Sequence, residues 1–134
     1  MVIDMGPRHG LLSRALLDEA TTFYLVTQVS IPELRNSNRM INEFFKATGA
    51  RLEIVLNRYT PRSLGIDEEH ITKALTRPAQ WRIPSDYAAV RQAQNTATPL
   101  AQDDSPISRV IRQMARTACG LSIHTDKKKR FGLF

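Results

Sequence analysis

The residues best placed to do chemistry are Asp4, the pair Asn57-Arg58, and the run Pro84-Ser85-Asp86. Met1-Val2-Ile3-Asp4-Met5 reads as a short buried-type strand that ends on an acid. In a nucleotide-binding α/β sheet, a carboxylate at such a tip serves a phosphate-bound Mg²⁺, a hard cation that keeps its waters and takes oxygen ligands. Alone, Asp4 is equally well read as a residue that starts a turn. Asn57 presents a carboxamide, with an acceptor and a donor side that suit an adenine edge. Arg58 presents a guanidinium plane that can stack on a base. Without context, Asn57 is a turn residue after a strand, and Asp86 is a helix cap. A phosphate site also needs a glycine-rich loop bearing Lys and Ser or Thr. No G-x-x-x-x-G-K-[ST] occurs in the 134 residues.

Other candidate chemistry is sparse. His9, His70 and His124 are far apart in sequence, and no nucleophile–base set or paired His/Cys metal spacing is evident. His9 reads as a loop histidine. Cys119 reads as a small core residue, and Trp81 as core packing in a strand. One cysteine excludes an internal disulfide and suits a reducing compartment. There is no secretory h-region and no apolar run long enough to cross a bilayer. Formal charge is +6, and nearly all of the excess follows residue 105.

The elements that must position these residues alternate between strand and helix. Val2–Met5, Thr22–Thr27, Leu52–Leu56 and Ala79–Ile83 have strand character. Helical spacing runs over Leu11–Glu19, Pro32–Ala47, from Asp67 as cap to Leu75, and from Ser85 or Asp86 to Asn95. Ser105 caps a last helix with Pro106 at its first position. That helix is two-faced, with Ile107, Val110, Ile111, Met114, Ala115 and Ala118 apolar and Arg109, Arg112, Gln113 and Arg116 polar. The alternation predicts an α/β fold: three layers, a mainly parallel sheet with helices on both faces. Ligands collect at the C-terminal strand ends of such sheets, where Asp4, Asn57-Arg58 and Pro84–Asp86 are predicted to lie. The length predicts one domain, and residues 121–134 read as a basic, flexible tail. In that tail Lys127, Lys128, Lys129 and Arg130 precede Phe131 and Phe134, the pattern that an anionic lipid surface attracts. A solvated, disordered tail is the plainer alternative.

Taken in order, Val-Ile-Asp at 2–4, Leu-Val-Thr at 25–27, Pro32-Glu33-Leu34-Arg35-Asn36 and Ile54-Val55-Leu56-Asn57-Arg58 resemble the MinD/ParA class of deviant P-loop ATPases. Ile83-Pro84-Ser85-Asp86, Val90, Ala93, Asn95, Thr98-Pro99-Leu100 and Ser105-Pro106 extend the resemblance, whose best match is the CpaE/TadZ branch of pilus-assembly and pole-positioning proteins. The resemblance implies a partial P-loop NTPase fold, residues 1–120, lacking the Walker A strand. It makes Asp4 the Walker B metal acid, Asn57 and Arg58 the base readers, and Pro84, Ser85 and Asp86 the opposite wall of the adenine pocket. Gly6 and Pro7 depart from the family's usual Pro two residues after the acid. For the intact parent it implies ATP and Mg²⁺ as cofactors, ATP-driven homodimerisation, pilus assembly proteins as partners, and a cytoplasmic location with peripheral attachment at the inner membrane or cell pole. MinD proteins bear a similar C-terminal membrane-targeting segment. This chain is expected to hold no tightly bound cofactor and to hydrolyse no ATP, and it has no catalytic residue of its own. A nucleic-acid partner is not expected, because the candidate phosphate contacts, Arg109, Arg112 and Arg116, are few. In the family the absent strand lies between the Asp4 strand and Thr22–Thr27, so the chain is expected to close that gap, to dimerise through it, or to leave Val2–Met5 poorly ordered.

Overall fold

A computed structural model of the chain describes residues 1–6, 11–46, 49–61 and 65–121. Three parallel strands, β1 (Thr22–Gln28), β2 (Arg51–Tyr59) and β3 (Trp81–Pro84), form one sheet in the order β1-β2-β3. The helices are α1 (Leu11–Glu19), α2 (Ile31–Met40), α3 (Glu68–Leu75), α4 (Tyr87–Thr96) and α5 (Pro106–Ala118). The sheet is parallel and flanked by helices, which is the α/β class read from the alternation of strand and helix patterns.

One sheet face carries the main core. Leu25, Ile54 and Leu56 point to it and meet Leu34 and Ile41 from the α2 side and Ile71 and Leu75 from α3. Each of these side chains, fully buried, contributes about 1.5–3 kcal/mol of transfer free energy. Phe23 and Phe45 extend the cluster, with ring centroids 5.3 Å apart and a tilted packing. The opposite face, alternate in the strand pleat, carries Tyr24, Glu53, Val55 and Trp81, and α5 lies against β3. Glu53 is 2% exposed. Its Oε1 accepts from Arg51 Nε at 2.6 Å and its Oε2 from Trp81 Nε1 at 2.5 Å, so the buried carboxylate is satisfied. Burial first, and the Glu53 carboxylate second, hold the Tyr24 phenol above its ordinary pKa.

The caps read from sequence form as expected. Asp67 Oδ1 accepts from His70 N at 2.9 Å, Asp86 Oδ1 from Ala89 N at 3.1 Å, and Ser105 Oγ from Ser108 N at 3.2 Å. Ser108, wholly buried, donates a hydrogen bond from its hydroxyl to the Leu100 carbonyl at 2.6 Å and ties α5 to the loop before it.

Four expectations are corrected. Val2–Met5 is not a strand: Met1–Gly6 has no regular structure, and Met1 and Val2 are fully exposed. A four-residue strand exists only through pairing with a neighbour, and among the described residues none pairs with it. The helix predicted over Pro32–Ala47 changes character, α-helical to Met40 and then a π-helical turn over Ile41–Phe45. Inside it, Asn42 Nδ2 donates to the Asn38 carbonyl at 2.9 Å, a side chain competing with the backbone ladder. Ala47 lies outside the described residues. Cys119 is exposed rather than a core residue. On α5 Ile107, Val110, Ile111 and Met114 are buried or half-buried as expected, Ser108 and Thr117 join them, and Ala115 and Ala118 face out. A thirteen-residue helix drifts relative to any fixed three-and-four pattern.

Candidate functional site

The ladder brings two of the three predicted clusters together. Between Leu56 and Tyr59 the β2–β3 register gains one residue on β2, a β-bulge. Arg58 occupies it with φ of 52°, the left-handed region that costs a non-glycine residue about 1 kcal/mol. The Asn57 Oδ1 accepts the Arg58 N–H at 3.0 Å and supports that bend. Beyond the bulge, Tyr59 stands opposite Pro84, and the Ser85 N–H donates to the Tyr59 carbonyl at 3.1 Å. Asn57-Arg58 and Pro84-Ser85-Asp86 therefore meet at the C-terminal ends of adjacent parallel strands.

The bulge has a second effect. It inverts the pleat, so the Tyr59 side chain joins the main core face instead of the face that carries Val55. There Tyr59 Oη donates to Glu68 Oε1 at 2.8 Å, and Arg82 Nη2 donates to Glu68 Oε2 at 2.7 Å, with a second, shorter bond from Arg82 Nε to Oε1. The Arg82 guanidinium, as the largest cause, holds the Glu68 carboxyl below its ordinary pKa, and Glu68 in turn holds Arg82 and Tyr59 above theirs. This clamp joins β2, β3 and the first turn of α3 directly behind the bulge.

Each candidate then has a place. Arg58 and Ser85 are exposed, and Asn57 and Pro84 are half-buried. Asp86 spends its carboxylate on the α4 cap, and Ser85 spends its N–H on β2. An exposed guanidinium, a carboxamide, a hydroxyl and a proline ring remain, a set suited to the face and edge of a heterocycle. Two shallow hollows lie on α4, one along Tyr87, Arg91 and Asn95, the other between Val90, Ala97 and Leu100.

Asp4 lies in the irregular segment Met1–Gly6 and not at the end of a strand. It is exposed, and its Oδ1 takes the Gly6 N–H at 2.9 Å, as a turn-forming aspartate does. Among the described residues no three His, Cys, Asp or Glu side chains cluster to hold a metal. A lone exposed carboxylate does not fit Mg²⁺ without substrate phosphates beside it. His70 pairs its Nδ1 with Asp67 at 2.7 Å on the surface. His9, His124 and the basic cluster Lys127, Lys128, Lys129, Arg130, Phe131 and Phe134 lie outside the described residues. Arg109 and Arg112 are engaged: both reach Asp104, and Arg112 Nη1 also donates to the Ala101 and Asp103 carbonyls at 3.0 and 2.7 Å. Among the described residues no helix is long and apolar enough to cross a membrane.

Two groupings were missed in sequence. A glutamate amid Leu-Glu-Ile-Val-Leu, two residues after Arg51, was the signal for the buried Glu53 pair. Tyr59, Glu68 and Arg82 gave none, because only the bulge brings Tyr59 to that face.

No family model matches the sequence, and no curated protein matches it significantly. Solved structures do match the fold. The crystal structure of a ParA family ATPase from Chlorobium tepidum TLS superposes with a TM-score of 0.70 at 24% identity, over 79% of this chain and 45% of that one. The Pyrococcus furiosus cell division ATPase MinD gives 0.61 at 27% identity, over 76% of this chain and 44% of that one. The MinD cell division protein of Aquifex aeolicus gives 0.62 at 21% identity, over 80% and 47%. The chain thus has a partial MinD/ParA-like fold and spans less than half the length of these proteins.

Proposed function

We propose, from this partial MinD/ParA-like fold, that the chain is the C-terminal portion of an ATPase of the CpaE/TadZ type. The parent would use ATP-driven homodimerisation to position pilus assembly proteins, working in the cytoplasm with peripheral attachment at the inner membrane or cell pole. Residues 1–120 would form the ATPase portion and 121–134 the basic tail. The observation that carries the reading is the meeting of Asn57-Arg58 with Pro84-Ser85-Asp86 at one sheet end, on a fold shared with ATPases of the ParA and MinD families. In the parent, Asn57 would read the adenine edge and Arg58 would cover its face, with Pro84 and Ser85 opposite. Asp4 would serve Mg²⁺ only where a phosphate cradle supplies the other ligands. With no such loop in its sequence, the chain alone binds the base but performs no transfer, because nothing neutralises charge on the γ-phosphate.

Amide chemical-shift mapping with adenosine, ATP and guanosine tests this. A base-only contact is expected to bind with a Kd on the order of millimolar. Shifts should be confined to Asn57–Tyr59 and Pro84–Asp86, be equal for adenosine and ATP, and vanish in Asn57→Ala. Shifts elsewhere, or an equal response to guanosine, would refute the reading. So would Mg²⁺-dependent phosphate release that is abolished in Asp4→Ala.

A further inference from the structure

Positions 58 and 59 compete for one place. Side chains alternate in a regular strand, so residue 58 would follow Ile54 and Leu56 onto the main core face, and residue 59 would follow Val55 onto the other. The bulge exchanges them: Tyr59 packs against the core cluster and Arg58 is exposed. The exchange leaves Arg58 at φ of 52°. A non-glycine residue keeps such a torsion only where its surroundings over-determine it.

Those surroundings are of two kinds. Asn57 Oδ1 takes the Arg58 N–H, and the Tyr59 carbonyl takes the Ser85 N–H. Both hold backbone and neither engages the phenol. The Glu68 carboxylate does, accepting from Tyr59 Oη at 2.8 Å and from Arg82 Nη2 at 2.7 Å. Arg82 stands opposite Leu56, before the bulge, and Tyr59 opposite Pro84, after it. One carboxylate thus ties the two ends of the irregular stretch. Between those ends β2 takes three steps, Leu56 to Tyr59, and β3 takes two, Arg82 to Pro84. The surplus residue must leave the ladder, and with the phenol fixed inward that residue is Arg58.

We infer that Glu68, through Tyr59 and Arg82, is a positioning residue for the base-contacting end: by holding the Tyr59 phenol inward it keeps the Arg58 guanidinium outward, at the strand end shared with Pro84 and Ser85, free to cover a purine face. The inference rests on the base-reading role proposed above. Glu68 touches no ligand in this arrangement and acts only through Arg58. Without the tether, a form with Arg58 turned inward competes, and base affinity falls in proportion to the outward fraction.

The test is an amide chemical-shift titration of the intact chain with adenosine. Glu68→Ala and Tyr59→Phe each release the tether and should each weaken binding about threefold. Glu68→Gln keeps an oxygen that accepts from Tyr59 Oη and should recover most of that loss. Ser105→Ala, which lowers stability at the α5 cap, should bind as wild type does. Without ligand, the intraresidue amide–Hα Overhauser effect of Arg58, stronger in the left-handed region than in a strand, should weaken in Glu68→Ala. Unchanged affinity or an unchanged Overhauser effect in Glu68→Ala would overturn this inference and leave the base site standing. So would an equal loss in Glu68→Gln, which would point to the charge, or in Ser105→Ala, which would point to general stability. No adenosine response in wild type would overturn the base site, and this inference with it.

Discussion

Replacing Glu53 separates two roles that the structure assigns to one carboxylate. Its oxygens serve the Trp81 indole N–H at 2.5 Å and the Arg51 guanidinium at 2.6 Å. The partners differ in what they lose. Arg51 is 63% exposed and turns to water, whereas the Trp81 N–H, held against α5's side of the sheet, is left without an acceptor. In Glu53→Ala, stranding that donor costs about 1–3 kcal/mol. Release of a buried carboxylate's desolvation offsets part of this, for a net loss of about 2 kcal/mol. In Glu53→Gln the carboxamide oxygen still accepts from Trp81, so only the solvent-screened pairing with Arg51 is lost, about 0.5 kcal/mol. Trp81 is the sole tryptophan, and its fluorescence in a urea titration reads both. With a slope of about 2 kcal/mol/M, the midpoint should fall by about 1 M for alanine and by about 0.25 M for glutamine. Equal losses in the two variants would show that the charge, not the indole acceptor, is what matters. An unchanged alanine midpoint would refute the argument outright.

Two further outcomes follow from neighbouring contacts. Glu68 has its pKa lowered by Arg82, so the clamp's contribution is complete above the ordinary value of 4.5 and fades as pH falls through the depressed one. Glu68→Gln should therefore cost about 0.5 kcal/mol at pH 7, a figure already discounted for its 44% exposure, and nothing near pH 2, by urea titration at each pH. Tyr59, raised by its bond to Glu68, contributes below pH 10 and loses that contribution above it, so Tyr59→Phe should flatten the alkaline limb of stability. Ser105→Ala removes the α5 cap and a partner of the buried Ser108 hydroxyl, and should lower stability by about 1–2 kcal/mol in thermal unfolding.

The legible parts of this fold are those that local chemistry decides. Asp67, Asp86 and Ser105 cap helices because a short oxygen side chain ahead of free N–H groups needs no tertiary partner. Strands β1 and β2 were visible because β-branched and aromatic residues concentrate in them. Val2–Met5 has the same composition yet forms no strand, since a strand exists only when a neighbour supplies its hydrogen bonds. The π-helical turn over Ile41–Phe45, where Asn42 Nδ2 reaches the Asn38 carbonyl, leaves no mark in the residue periodicity. At the candidate site, the shared end of Asn57-Arg58 and Pro84–Asp86 was legible from strand order alone. The left-handed Arg58 and the clamp behind it were not, because one inserted residue leaves no mark in a sequence read without its pairing partner.

That inserted residue also makes the chain tolerant of loss at this point. Deleting Arg58 would give a regular ladder and relieve a strained torsion, and the tyrosine would then follow Leu56 by two positions, which keeps its phenol on the same side of the sheet. The tether from the second strand to α3 would survive. Homologous chains that share the tyrosine–glutamate–arginine clamp can therefore differ in length by one residue here, the bulged and the regular forms delivering the same hydroxyl to the same carboxylate.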